Sequence, residues 1–334
     1  MKKIGFIIVF ILIASSLTAA ETFLAKAELL TGKVTWSLKK DKKAKPVKIG
    51  QKFVTDSVIT TGKKSSITLK LKNKSLIELK ENSKLIINKD LMDKASVSLL
   101  KGNGKFNIQK LMKSKEEFNV YTPTAVVGVR GTEYELGVAP DGSLGVNVGD
   151  GKVAVNNDSK EIGLGKNEST VASLGNDQLA KNAGAQDLNA LNKSKEEEMN
   201  KNPADKMNAI NNKFDKAFGE QQAIVSKLSN TKNTNVGQDI SQGLFNQAKT
   251  EGLYSVAQTI KNNNPQDKLV SNAYKKINSV YDRLNKLNQI MDEKFNNLDK
   301  IYDKKTEELM KKLDNKEKMF NDKFKDFDKT EETK

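Results

Sequence analysis

The 334-residue chain contains no cysteine and no histidine. Without cysteine there is no disulfide and no lipid-modified N-terminal cysteine, so the fold must rest on packed cores and helix association. The two absences together remove the commonest transition-metal ligands and the commonest general base. Enzymatic readings therefore start at a disadvantage, and no cofactor is expected. Arginine is almost missing as well: only Arg130 and Arg283 stand among 57 basic residues. A retained arginine suggests a task lysine cannot do, because its planar five-donor fork matches carboxylates or clustered carbonyls.

What is present is mostly lysine, giving a formal net charge of +15. Such a charge steers toward anionic partners such as acidic polymers or lipid head groups. Lysines are scattered among glutamates and aspartates along the whole chain, which describes a solvated basic surface. The N-terminus has the layout of a secretory leader over residues 1–20: Lys2 and Lys3, an apolar run from Ile4 to Leu17, then Thr18-Ala19-Ala20, with cleavage expected between Ala20 and Glu21. The apolar run is about 20 Å long as a helix, short of the roughly 30 Å hydrocarbon core, so no stable transmembrane anchor is expected after cleavage. Export to the periplasm or outer envelope of a diderm bacterium follows, and export argues against a nucleic-acid partner.

The residue period changes near position 175. In the first part, 21–175, Ile67, Leu69 and Leu71 alternate with polar residues, Asn73-Lys74 supplies a turn, and Ile77 and Leu79 alternate again, predicting a hairpin. Further strands are expected around Leu85–Ile87, Val97–Leu99 and Phe118–Val120. Thr132, Tyr134, Leu136 and Val138 share one face of another, followed by turns at Asp141-Gly142 and Gly149-Asp150-Gly151 and a strand through Val153 and Val155. Many short strands at such spacings predict an all-β domain, a sandwich or a short solenoid.

The second part reads as α-helical. Asn202-Pro203-Ala204-Asp205 and Asn264-Pro265-Gln266-Asp267 each place an asparagine cap, a proline and an acid where helices start. Met207, Ile210, Phe214, Ala217, Ile224 and Leu228 follow a heptad seam, as do Tyr274, Ile277, Tyr281, Leu284, Met291, Phe295, Leu298 and Tyr302. Leu309, Leu313, Phe320 and Phe327 continue the stripe with a four-residue offset. Such a stripe buries its seam in a bundle within the chain or in a coiled-coil homo-oligomer between chains. Residues 176–201, with few large apolar side chains, read as a linker or weak helix ahead of the helical region 202–334.

The stretch from Thr122 to Val138 is the most distinctive. Pro123 suits a strand start, Gly128 and Gly131 flank Val129-Arg130 as at a bulge or close approach, and Thr132 opens the next strand. Arg130 is expected at a corner, bonded to backbone carbonyls or to a carboxylate such as Glu133 or Glu135. With Thr31-Gly32-Lys33-Val34 and Trp36, Gly50, Thr60-Thr61-Gly62, Leu100-Lys101-Gly102, the run Thr122-Pro123-Thr124 to Val129-Arg130-Gly131-Thr132, and GDGKVAV from Gly149 to Val155, the β half resembles the FecR-domain family. In that family Thr122, Pro123, Thr124, Gly128, Arg130, Gly131 and Thr132 correspond to a structural motif. The resemblance implies an exported β module that contacts other envelope proteins. The regulators for which the family is named carry a cytoplasmic anti-sigma segment and a transmembrane helix ahead of it, and here only the leader precedes the β half.

Three functions are weighed. The main expectation is a non-enzymatic envelope protein whose β domain binds an envelope protein or anionic polymer, with the helices giving oligomerisation or reach. The alternative is a periplasmic accessory to a signalling system, contacting a receptor or anti-sigma-type regulator by pairing at an exposed strand edge. A carboxylate-pair hydrolase would draw on Glu133, Glu135, Asp141 or Asp150, but turn and surface-strand positions already explain those acids. Trp36 and the seam tyrosines are expected to pack.

Overall fold

The computed structural model describes residues 23–41, 43–89, 95–110, 117–157, 159–174, 176, 178–229 and 236–331. The expected leader and its Ala20–Glu21 cleavage point lie outside them. Among the described residues, seventeen strands precede four helices. The strands are β1 (Ala25–Thr31), β2 (Val34–Leu38), β3 (Lys45–Pro46), β4 (Lys52–Phe53), β5 (Ser57–Thr61), β6 (Ser66–Leu71), β7 (Leu76–Leu79), β8 (Lys84–Lys89) and β9 (Ala95–Asn107). They continue with β10 (Phe118–Tyr121), β11 (Val126–Val129), β12 (Glu133–Val138), β13 (Leu144–Asp150), β14 (Val153–Asn156), β15 (Glu161–Leu164), β16 (Glu168–Ala172) and β17 (Asn182–Ala183).

Two ladders share the long strand β9. Its second half pairs with β7 and β12 in a ladder ordered β4-β1-β6-β7-β9-β12-β13-β16-β17. Its first half pairs with β8 and β10 in a ladder ordered β3-β2-β5-β8-β9-β10-β11-β14-β15. All pairings are antiparallel except β9 with β10. The inward residues of both ladders form one core, with Ile59, Leu69, Ile77, Leu85, Val127, Leu136 and Val146 wholly buried. The alternation in the sequence is the cause: Ile67, Leu69 and Leu71 point in while Thr68 and Lys70 face outward, and the expected hairpin is β6–β7. Phe106 and Tyr134, directly opposite in the β9–β12 register, stack with centroids 5.1 Å apart. Trp36 packs edge-on to Phe53 at the margin of this core.

Residues 176–201 are not an open linker. They hold β17 and helix α1 (Leu188–Lys201), capped by Asp187, whose carboxylate accepts from the Asn189 and Ala190 amides. Asn103 ties α1 to the sheet through Asn189 and Asn192, and Asn147 bonds the Gln186 backbone twice. The remaining helices are α2 (Pro203–Leu228), α3 (Val236–Asn263) and α4 (Lys268–Glu331). No described helix is long and apolar enough to cross a membrane.

Helices α2, α3 and the first half of α4 bury their seams against one another, so the intramolecular alternative holds up to Leu298. Met207, Ile210, Phe214, Ala217, Ile224 and Leu228 are all buried, as are Ile277, Leu284 and Met291. Tyr281 and Tyr274 stack on Tyr254 at 3.9 and 6.1 Å, so these two seam tyrosines pack as expected, while the Tyr302 side chain lies outside the described ones. A polar layer interrupts the core: Gln221 donates to Asn288 and accepts from Asn246. Polar groups of this kind fix the register of packed helices at some cost in stability. Asn202 stands at the N-cap of α2 with Pro203 after it, as expected, and the cap at α4 is a different residue. Asn202 makes no side-chain cap bond. At α4 the cap is Asp267, which accepts from the Leu269 and Val270 amides, while Asn264 bonds back to the Ile260 carbonyl.

A charged cluster joins the β domain to the bundle. Lys39, following β2, lies 3.3 Å from Glu251 on α3 and 3.8 Å from Asp56, and bonds Gln247, which in turn donates to Asp292 on α4. Burial pushes the Lys39 ammonium down, but Glu251, Asp56 and Asp292 outweigh it and hold its pKa above the ordinary lysine value. A raised folded-state pKa means that this contribution is complete below the unfolded value of about 10.4 and is lost as pH rises through the folded value. Lys39→Met is expected to cost about 1–2 kcal/mol at pH 7, by leaving the carboxylates facing one another. Urea titration checks this, and the wild-type advantage over the variant should shrink as pH rises through the raised Lys39 pKa.

Candidate functional site

The run 122–132 does three separate things. At its start, Thr122 closes a tight turn on itself: its hydroxyl donates to the Ala125 carbonyl and accepts from the Ala125 amide. Thr124 donates to the Gly142 carbonyl, tying the turn to the β12–β13 hairpin. Pro123, thus held rigid and buried, is the surface on which α3 sits. Gly252 passes so close that a Cβ there would clash with the Pro123 ring, and Leu253 and Val256 lie around Gly142 beside it. Next to this contact Tyr121, Ile86 and Leu100 from the sheet pack with Phe245 and Ala248 from α3, and the Tyr121 hydroxyl is 3.0 Å from the Ser241 hydroxyl.

At its end the run turns a corner from one ladder to the other. Gly131 has φ +106°, and a Cβ there would stand 2.8 Å from the Lys110 Cα. Only glycine meets both demands. Thr132 exchanges backbone bonds with Ile108 and donates its hydroxyl to the Lys152 carbonyl, so the corner is pinned from both sides.

Arg130, between these parts, bonds a carboxylate, but that of Glu117 rather than Glu133 or Glu135. It is exposed, and its Nε and Nη2 both donate to Glu117 Oε1, at 3.1 and 2.7 Å. Glu133 and Glu135 are paired elsewhere, with Lys105 at 2.7 Å and Lys80 at 3.7 Å. Asp141 accepts from Ser143 within the buried hairpin turn, and Asp150 faces Lys166 on the surface. The four acids weighed for hydrolysis are thus spent on turns and lysines.

What the sequence did not indicate is the cleft that Glu117, the partner of Arg130, borders. About 590 Å³ opens between β10, β11 and β14 on one side and α2 and α3 on the other, lined by Glu117, Asn119, Gly128, Asn156, Glu161 and Gln238 among others. Amides and carboxylates dominate it, which suits hydrogen bonding to a peptide backbone more than an apolar ligand. Among the described residues no group of acidic side chains could hold a metal ion. The cleft reaches β15, an edge of its ladder. Of the four edge strands, β3, β4 and β17 have two residues each, whereas β15 has four. Gly163 at its centre is exposed, with nothing within 4 Å of where a Cβ would stand.

Two substitutions separate these roles. Arg130→Lys should change stability by no more than about 0.5 kcal/mol, because an exposed ion pair is worth little. Gly252→Val should cost at least about 2 kcal/mol, because a rigid proline ring cannot yield to the new side chain. Thermal unfolding of both variants checks the contrast.

No curated protein matches the chain. Two crystal structures of a proposed anti-sigma factor from Parabacteroides distasonis are similar to 38% of this chain and to 60% of their own, at 20% and 19% identity, with TM-scores of 0.35 and 0.34. The match thus spans less than two thirds of those proteins. The family model described as FecR protein matches residues 57–154, from β5 into β14, including the whole run from Thr122 to Thr132. The chain carries a FecR domain.

Proposed function

We propose that this protein is a non-enzymatic accessory of a regulatory system in the cell envelope, and that its FecR domain binds another protein by pairing a strand with β15. The family match over residues 57–154 carries the regulatory part of this reading. The leader-like N-terminus supports placement outside the cytoplasm, in the periplasm of a diderm cell.

The geometry supports the mode of binding. Strand addition needs an open edge long enough to form several main-chain bonds, together with a neighbouring surface that selects side chains. Among the described edges, β15 alone exceeds two residues, and it runs beside the polar cleft. Glu161 and Gly163 are exposed, and Ile162 and Leu164 point to the core, so an added strand would meet backbone without displacing the core. The opposite end of the motif, at Pro123, is covered by α3 and is closed to a partner in this conformation.

A photo-reactive amino acid at position 163 tests the reading in living cells. An adduct with a receptor or a membrane-bound regulator, lost when excess β15-like peptide is supplied, is the expected result. Cross-linking only to envelope polymer would instead favour a polymer-binding role for the basic surface. Absence of any adduct at 163, with adducts formed from a control position on the bundle, would overturn the β15 assignment.

A further inference from the structure

Helix α4 is 64 residues long, and among its described side chains those up to Leu298 are the ones that pack in the bundle. Beyond Leu298 it runs on past the ends of α2 and α3, and Leu309, Met310 and Leu313 are 55–60% exposed. These residues continue the apolar seam buried within the bundle at Ile277, Leu284 and Met291. Thr306, Met310, Leu313, Glu317, Phe320, Phe324 and Phe327 follow one another in alternating steps of four and three, which is the a/d spacing of a coiled coil. The segment 299–331 spans roughly 50 Å as a helix, more than four heptads.

The charges indicate what covers this seam. The segment holds ten lysines and ten acidic residues, so its net charge is zero while the rest of the chain carries the full +15. A strongly charged partner finds no complement here, and a second copy meets no net repulsion. The flanking positions go further. With a at Met310 and d at Leu313, the g positions are Leu309, Lys316 and Lys323, and the e positions are Glu307, Asp314, Asn321 and Asp328. In a parallel pair each g faces the e five residues on in the other chain, which sets Lys323 against Asp328. An antiparallel pair sets g against g and e against e, lysine against lysine and acid against acid. The charged core position Glu317 would lie beside Lys316 of the other chain in the parallel arrangement.

We propose that two copies of this chain pair in parallel through residues 299–331 of α4. The seam is covered by its counterpart, and two FecR domains are held on one stalk with their β15 edges both free. Such an arrangement makes the protein bivalent toward any partner of the β domain. The proposal stands independently of what that partner is.

The absence of cysteine makes the test direct. The exported protein should sediment at twice the chain mass at micromolar concentration. Single variants Leu313→Cys and Phe327→Cys, two d positions, should each oxidise to a cross-linked dimer. An antiparallel pair could cross-link at no more than one of them. Leu313→Glu should raise the dimer dissociation constant at least about tenfold, by placing an unpaired charge in the seam. Lys323→Glu should weaken pairing and Lys323→Glu/Asp328→Lys should restore it, whereas antiparallel pairing, which sets the g lysines against each other, would not be weakened by the first change. Sedimentation as a monomer, or binding of monomers to phosphatidylglycerol vesicles without dimer formation, would overturn the proposal.

Discussion

The seating of α3 on Pro123 is the contact on which the rest of the architecture depends. A rigid ring presented by a hydrogen-bonded turn meets a glycine in the middle of a helix, and the backbones approach as closely as side chains ever permit. On one side of α3, Phe245 and Ala248 pack with Tyr121 and Ile86 of the sheet. On the other, Leu253, Ala257 and Ile260 pack with α2 and α4. The helix is therefore buried on two faces, and it makes the β domain and the bundle one body. Lys39 reinforces the junction from a second point, where β2 ends beneath Glu251 and Gln247.

This arrangement gives the family motif a divided meaning. Its Thr122–Thr124 end is occupied by the protein's own helix, and its Gly131–Thr132 end is a corner between ladders. The Gly128–Arg130 portion alone reaches an open surface, where Arg130 holds Glu117 at the rim of the polar cleft. The side available to a partner is thus the one toward β15. The bundle closes one face of the domain and leaves that edge open.

The β half was legible because its core is simple: inward and outward positions alternate, and residues such as Leu69, Leu136 and Val146 obey the period of two throughout. The bundle seams on α2 and α4 were legible for the same reason at a period of 3.5. Helix α3 was not, because a helix buried on two faces has no polar face to reveal its period. Its signal was compositional, only four charged residues in 28, against 30% for the chain. Which carboxylate Arg130 holds was not legible because Glu117 precedes it by thirteen residues on a neighbouring segment, whereas Glu133 and Glu135 are nearer in sequence but point toward Lys105 and Lys80. The cleft, formed by β14 and α3 from distant parts of the chain, has no local sequence signature. The asparagine cap failed at α4 because the helix starts at Lys268 rather than at Pro265, which puts Asp267 at the cap position.

That α3 fastens the β domain and bundle into a single cooperative unit is the claim most open to direct measurement. Trp36, the sole tryptophan, sits at the margin of the β core and reports its unfolding alone, while amide hydrogen exchange from Phe245 to Ile260 reports α3. Followed together through a urea titration, the two signals should move in one coincident transition. Loss of α3 protection at a urea concentration where Trp36 fluorescence is still native would show that the bundle is a separate body resting on the domain, and would contradict the account.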